Sequence, residues 1–418
     1  MSASGPREFD VIIVGAGIVG AVMACLLMKQ GSSASLRVAL IADRFTQEPP
    51  GDADWDLRVF ALNRASERLL KLCGIWGGLP AARMEPFERM RVWDAETSAR
   101  GPGSLSFDCA DIGEPNLGCI IDGRVLQWHA LQTARALGTV LIEAQLSSIA
   151  LGDDVMRAGL EDGRELRGKL IVGADGTESK TRQLLGIETA GHAYHQDALV
   201  AHVHTAEPHA RTAWQRFLPT GPLAFLPLSD GRCSIVWSTN RAEATRLRAL
   251  DLQAFSAALT AGSGEVLGQC TVAAPPVAFP LQLQYAVAYA SPRAVLLGDA
   301  AHVVHPLAGQ GLNLGLLDCA TLAQVLDDSG GARNFGDLKV LRRYERWRRS
   351  ENLLASAALD GLERLFSNTG GLIASARKLG LGAVERLPMM KRRLARQALG
   401  LSGDLPGIIR ADRAWPRR

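Results

Sequence analysis

The 418-residue sequence predicts an α/β fold: a parallel sheet with crossover connections, interleaved with a β-rich second part and followed by a helical C-terminal segment. Three observations predict it. Residues 9–14, 170–173 and 294–297 are short apolar runs, the pattern of strands buried on both faces of a parallel sheet. Each leads directly into a glycine-containing turn. Their wide separation requires the chain to leave that sheet and return to it. Stretches between them, such as 221–237 with its Ser229-Asp230-Gly231 turn, alternate apolar and polar residues as hairpin strands do.

The first run, Phe9 to Val14, leads into Gly15-Ala16-Gly17-Ile18-Val19-Gly20, and residues 21–30 then read as helix. Gly15 can make the tight turn, Gly17 lets a pyrophosphate approach the backbone, and Gly20 packs helix on strand. The next strand, 36–42, ends at Asp43 with Arg44 beside it, where an acid can hold adenosine ribose hydroxyls. The glycines interrupt the uncharged stretch 11–28, which therefore reads as strand, turn and helix rather than a membrane span. Together these features predict a Rossmann-like dinucleotide site. The competing reading is an α/β turn whose glycines serve packing alone, and the fingerprint does not separate FAD from NAD.

Leu170-Ile171-Val172-Gly173-Ala174-Asp175-Gly176 repeats the strand–turn pattern and places Asp175, read as exposed, at a strand end. So does Ala294-Val295-Leu296-Leu297-Gly298-Asp299, continuing through His302, His305, Pro306, Gly309, Gly311, Leu312 and Asn313. Ligands of parallel sheets sit at the carboxyl ends of the strands. Asp299 there can accept hydrogen bonds from a polyol, and a helix starting near Leu312 would present its N–H groups to a site that takes up negative charge.

The three motifs, in this order and at these separations, resemble the class A flavoprotein aromatic hydroxylases, which have the p-hydroxybenzoate hydroxylase fold. Further segments resemble the ubiquinone-biosynthesis hydroxylases within that group: the stretch around Arg58 (57–66), Ile121-Asp122-Gly123-Arg124, the hairpin 221–237, and Tyr344 to Arg349. Trp93-Asp94, residues 205–209 and residues 397–401 resemble the 2-polyprenylphenol 6-hydroxylase branch. The resemblance runs from Asp10 to about Arg410. It implies FAD as cofactor, NAD(P)H as reductant, O2 activated at flavin C4a, and a polyprenylated phenol as substrate. It implies cofactor binding by Gly15, Ala16, Gly17, Gly20, Asp43, Arg44, Arg58, Arg124, Asp175, Gly298, Asp299, Gly309, Gly311, Leu312 and Asn313. His305 and Pro306 would wall the reacting edge of the flavin. Spacing alone also allows Arg58 to be a surface ion pair with Asp54 or Asp56, and Arg124 a helix-surface arginine. The rival functions are the same chemistry at another ring carbon, a non-prenylated phenol as substrate, or a low-turnover flavoprotein scaffold in a quinone-biosynthesis complex.

The expected layout assigns 1–85, 121–185 and 286–340 to the FAD domain, 86–120 and 186–285 to a substrate-binding β domain, and 341–418 to a basic helical segment. The net charge of +3 argues against a nucleic-acid binder. That average hides a split: from Leu341 onward 17 Lys/Arg face 7 Asp/Glu, leaving 29 against 36 before it. The basic tail reads either as a solvated helical appendage or as a surface for anionic lipid. Seven scattered cysteines suit a reducing compartment. No secretory leader is legible, so the expectation is a cytoplasmic protein, at most peripheral to the inner face of a membrane. His202 and His204 share a strand face without a complementary acid or thiol, so no metal site is expected. No G-x-S-x-G elbow is present to support serine hydrolase chemistry.

Overall fold

The computed structural model describes residues 7–29, 36–51, 54–152, 154–304, 309–367 and 387–410. At its centre lie five parallel strands, in the spatial order Ala294–Leu296, Glu165–Gly173, Arg7–Val14, Val38–Ala42, Val140–Glu143. Side chains alternate across the sheet, so Ile13 and Leu40 join one buried cluster while Ile12 and Ile41 join another. All four are fully buried, each worth about 1.5–3 kcal/mol of hydrophobic stabilisation. The first cluster is closed by the helices Ile18–Lys29, Gly123–Ala136 and Gln310–Asp327. The second is closed by the antiparallel strands Leu146–Leu151 and Met156–Leu160.

The second part is a nine-stranded sheet built round the long strand Thr189–Thr205. All but one of its pairings are antiparallel; Arg89–Asp94 runs parallel to Thr212–Leu218. The 221–237 segment forms the expected hairpin: Gly231 takes φ +87° in the turn, and the Leu228 N–H donates to the Arg232 carbonyl at 2.9 Å. One face of this sheet, carrying Leu199, Leu223, Ile235 and Trp237, is buried under the helices Arg241–Arg248 and Leu252–Ser263 through Phe255 and Leu259. The opposite face turns toward a small antiparallel sheet of Val59–Leu62, Gly118–Asp122 and Met84–Phe87, where Leu226 and Leu228 pack with Trp55, Val59, Ala61 and Ile120.

Two details depart from the simple segment pattern read in the sequence. Residues 86–87 pair with 118–119 in the small sheet. His302–Val303, which follows the last strand of the parallel sheet, pairs with Gln284 and Tyr285 of the nine-stranded sheet. The basic C-terminal region also divides. Its first helix, Leu338–Ser367, is docked on the core: Leu341 and Tyr344 are fully buried, and the Tyr344 hydroxyl donates to the Leu296 carbonyl at 2.9 Å. A further helix among the described residues, Pro388–Ala398, rests on Ala395 and Leu399, with Lys391 3.9 Å from Asp111. No helix among the described residues is long and apolar enough to cross a membrane.

Candidate functional site

Because the three motif-bearing strands are neighbours and parallel, their carboxyl ends lie along one edge, bringing together turns more than a hundred residues apart in the chain. Gly15 has φ +106°, a conformation open to glycine, and a Cβ there would sit 2.2 Å from the Ala174 carbonyl oxygen. A Cβ on Gly20 would lie 1.9 Å from the Gly15 oxygen. Both glycines therefore serve the packing of turn, strand and helix. Gly17 does not: a Cβ there meets nothing within 4 Å. Its openness has no packing explanation and fits close approach of a pyrophosphate to the turn. The Gln127 amide donates to the Ala16 carbonyl at 3.0 Å and ties the turn to the helix Gly123–Ala136, a contact the sequence pattern did not reveal.

Asp43 and Arg44 are exposed at the end of the next strand. Arg44 lines a cleft of about 570 Å³ with Phe45, Trp128, Gln132, Arg135 and Glu143, a size that suits the adenosine end of a dinucleotide. Arg58 and Arg124, found from separate motifs, meet at Asp56. One Asp56 carboxylate oxygen accepts the Arg58 backbone N–H at 2.8 Å, and the other lies 2.7 Å from Arg124 Nε. Asp54 is engaged by Arg232. The ion pair that spacing allowed for Arg58 is thus made by its neighbours, while the Arg58 side chain stays exposed and its charge reaches Asp299.

Asp299 opens onto solvent while protein crowds it on its other sides. Burial pushes its carboxyl above the usual range, and the charges of His302 and Arg58 oppose that rise. The helix Gln310–Asp327 begins at Gly309, which has φ +60° and provides no side-chain cap. Gly311 and Leu312 lie in its first turn, so its early N–H groups can be offered to a ligand that carries negative charge. His305 and Pro306 lie outside the described residues.

Two predicted site residues have their polar groups committed internally. Asp175, expected to be exposed, is half-buried and accepts from Ser179 Oγ at 2.5 Å and from the Thr181 N–H and hydroxyl at 2.8 and 2.9 Å. The short helix that follows, Lys180–Leu184, competes for this carboxylate and holds it. Asn313 is 1% exposed; its oxygen accepts from the Asn63 N–H at 3.0 Å and Ser66 Oγ at 2.7 Å, and its amide donates to the Ala61 carbonyl at 2.9 Å. It ties the helix to the strand Val59–Leu62.

The face of the nine-stranded sheet opposite the helices Arg241–Arg248 and Leu252–Ser263 carries Val200, Val236 and Ala224, which are directly paired across three strands and half-buried. Leu226, on the same face, packs against Val59 and Ala61, and Ala61 lies beside Gly309. The result is an apolar wall next to the helix N-terminus. His202 lies farther along this face, and burial pulls its pKa down, with Arg232 adding to the effect.

Residues 131–350 match the FAD binding domain family. The chain is 35% identical over 399 residues to the 3-demethoxyubiquinol 3-hydroxylase of Escherichia coli K12, covering 94% of this chain and 98% of that protein. It is 36% identical over 421 residues to the ubiquinone hydroxylase UbiL of Rhodospirillum rubrum, covering 98% and 96%. To the human mitochondrial ubiquinone biosynthesis monooxygenase COQ6 it is 32% identical, covering 94% and 92%. The p-nitrophenol 4-monooxygenase PnpA of Pseudomonas putida DLL-E4 shares the fold, with a TM-score of 0.75 at 18% identity and coverage of 95% and 99%. With the glycine turn and the Gly298-Asp299 turn on one sheet edge, and with relatedness along nearly the whole chain, the protein belongs to the ubiquinone-hydroxylase group of the FAD-dependent class A aromatic monooxygenases.

Proposed function

We propose that the protein hydroxylates the aromatic ring of a polyprenylated phenol, with NAD(P)H as reductant and O2 as co-substrate. The observation that carries this reading is the apolar row Val200, Val236 and Ala224, whose sheet face is joined through Leu226 and Ala61 to the uncapped helix at Gly309. A prenylated ring needs an apolar surface, and a flavin that becomes anionic on reduction needs oriented N–H groups. FAD, when bound, supplies the oxygen chemistry. The chain's own task is to bind it, hold the substrate ring beside it and keep water away. In this reading Gly15, Ala16, Gly17 and Gly20 form the pyrophosphate turn, Asp43 and Arg44 serve the adenosine end, and Arg58 and Arg124 serve the phosphates. Gly298 and Asp299 hold the ribityl chain, and Gly309, Gly311 and Leu312 approach the ring system. Asp175 and Asn313 act by shaping their turns. His305 and Pro306 remain the proposed wall at the reacting edge.

Substrate delivery from a bilayer fits the helix Pro388–Ala398. Leu387, Met389, Met390 and Leu394 are exposed there, Met389 at 87%, beside exposed Arg392, Arg393 and Arg396. Apolar side chains interspersed with cations suit an anionic lipid surface, and the same helix offers a contact for other quinone-biosynthesis proteins. The ring carbon has two supported choices. Segments resembling the 2-polyprenylphenol 6-hydroxylases favour one, and relatedness to a 3-demethoxyubiquinol 3-hydroxylase favours another. Deleting the gene and identifying the accumulated quinone precursor by mass spectrometry tests the proposal. A precursor lacking one ring hydroxyl is expected, and the missing position names the carbon. Unchanged quinone with no precursor would contradict it.

A further inference from the structure

Behind the Gly298-Asp299 turn lies a buried polar group centred on a residue outside every sequence motif. Asp318, on the helix Gln310–Asp327, is fully buried. One carboxylate oxygen accepts the Gly298 N–H at 3.0 Å and lies 2.6 Å from His302 Nε2. The other accepts from Arg348 Nε at 2.8 Å and the Asn352 amide at 3.3 Å, and Arg348 in turn donates to Asn352 at 2.7 Å. His302, Arg348 and Asn352 are each 3% exposed or less. Desolvation alone would raise the Asp318 pKa, but His302 and Arg348 overcome it and hold the carboxyl down to about 2. An ionised carboxylate this deep persists only when its charge and lone pairs are matched, and here His302, Arg348, Asn352 and the Gly298 N–H match it.

The placement of the four partners gives the group a direction of action. Gly298 stands at φ +56° immediately before Asp299, so Asp318 fixes the Leu297–Gly298 peptide that leads the chain into the turn carrying Asp299. The His302 backbone pairs with Tyr285 of the nine-stranded sheet, while its ring reaches back to Asp318 and stacks on Tyr289 at 5.9 Å. Arg348 and Asn352 come from the C-terminal helix Leu338–Ser367. One carboxylate thus joins the cofactor turn, the substrate-facing sheet and the C-terminal helix.

We propose that Asp318, held by His302 and Arg348, is the positioning residue of the Gly298-Asp299 turn, so that the C-terminal helix is a working part of the FAD site. This rests on FAD occupying that turn, which titration of the wild-type apoprotein with FAD checks separately. The test compares variants by FAD titration, by the shape of the bound flavin's visible absorption, and by the apoprotein Tm. His302→Phe removes the donor to Asp318, whereas His302→Gln keeps an N–H there. Tyr344→Phe removes a bond from the same helix to the Leu296 carbonyl and serves as the structural control. His302→Phe should weaken FAD binding about tenfold or more and alter the flavin band, the loss of one charge-assisted hydrogen bond. His302→Gln should recover most of the affinity. Tyr344→Phe should lower the apoprotein Tm with FAD affinity within about twofold of wild type, since its bond does not touch the turn. If His302→Phe does not fold, the pair Asp318→Asn/Arg348→Gln, which removes both charges together, takes its place with the same expectation. Wild-type FAD affinity in the folded variant overturns the proposal. So do losses of Tm and affinity that run in the same proportion in His302→Phe and Tyr344→Phe. Failure of the wild-type apoprotein to bind FAD would overturn the cofactor reading as well.

Discussion

Gly15→Ala is expected to leave little or no folded protein, and no protein that holds FAD. The alanine Cβ would stand 2.2 Å from the Ala174 oxygen and 2.8 Å from the Asp175 Cα, both backbone atoms. Neither side can retreat. The Gly15 N–H donates to the Ile41 carbonyl at 2.8 Å, and the Ala174 N–H donates to Val14 at 2.8 Å, so moving the turn breaks the parallel sheet at its centre. The φ of +106° adds strain for any L side chain. Together these effects should cost more than about 3 kcal/mol, a large share of a domain's stability. Soluble yield and thermal unfolding check this, and a Gly15→Ala protein with wild-type Tm would show that the turn is built differently.

Gly17→Val separates binding from folding. With nothing within 4 Å of its Cβ position, the side chain has room in the protein itself. Gly17 accepts the first helical bond, from the Ala21 N–H at 3.0 Å, so valine at this capping position should cost the apoprotein no more than about 1 kcal/mol. The same side chain would occupy the space through which a pyrophosphate reaches the backbone. FAD affinity should fall about 100-fold, or about 2.7 kcal/mol. Apoprotein melting and fluorescence titration with FAD together provide the check. Wild-type affinity in this variant would move the cofactor away from the turn.

The two glycines illustrate what the sequence made legible. A fingerprint glycine is required by local sterics, and steric requirements leave a trace in the chain: apolar strand, glycine spacing, then helix. The same holds for the hairpin at Ser229-Asp230-Gly231 and for the Gly298-Asp299 turn. The spacing already assigned Gly20 to packing and Gly17 to a ligand's approach; it could not show that the Gly15 Cβ position is blocked by Ala174, which follows another strand of the sheet. Nor could it tell which polar side chains face inward. Asp175 and Asn313 stand at the right places in their motifs, yet Ser179, Thr181, Asn63 and Ser66 take up their hydrogen-bonding capacity. Asp318 and Asn352 stand outside every motif, and Arg348 lies in the Tyr344–Arg349 resemblance without any sign of its partner, since their pairing is created when two helices meet behind the turn. His302, which lies in the motif following Asp299, takes a packed place joined to Asp318.

The charge split at Leu341 is likewise sharpened by the structure. Arg348 belongs to the buried polar group, and Lys391 lies near Asp111, so part of the basic excess is internal. Among the described residues, exposed cations stand beside exposed apolar side chains on the helix Pro388–Ala398, the surface proposed above for a lipid or protein partner.

The most direct measurement uses purified holoprotein, reduced nicotinamide, a polyprenylated phenol and isotopically labelled O2. The account predicts substrate-stimulated oxygen uptake and a ring-hydroxylated product that carries one labelled oxygen atom. Oxygen consumption indifferent to every phenol supplied, with no labelled product, would contradict it and leave a flavoprotein scaffold in its place.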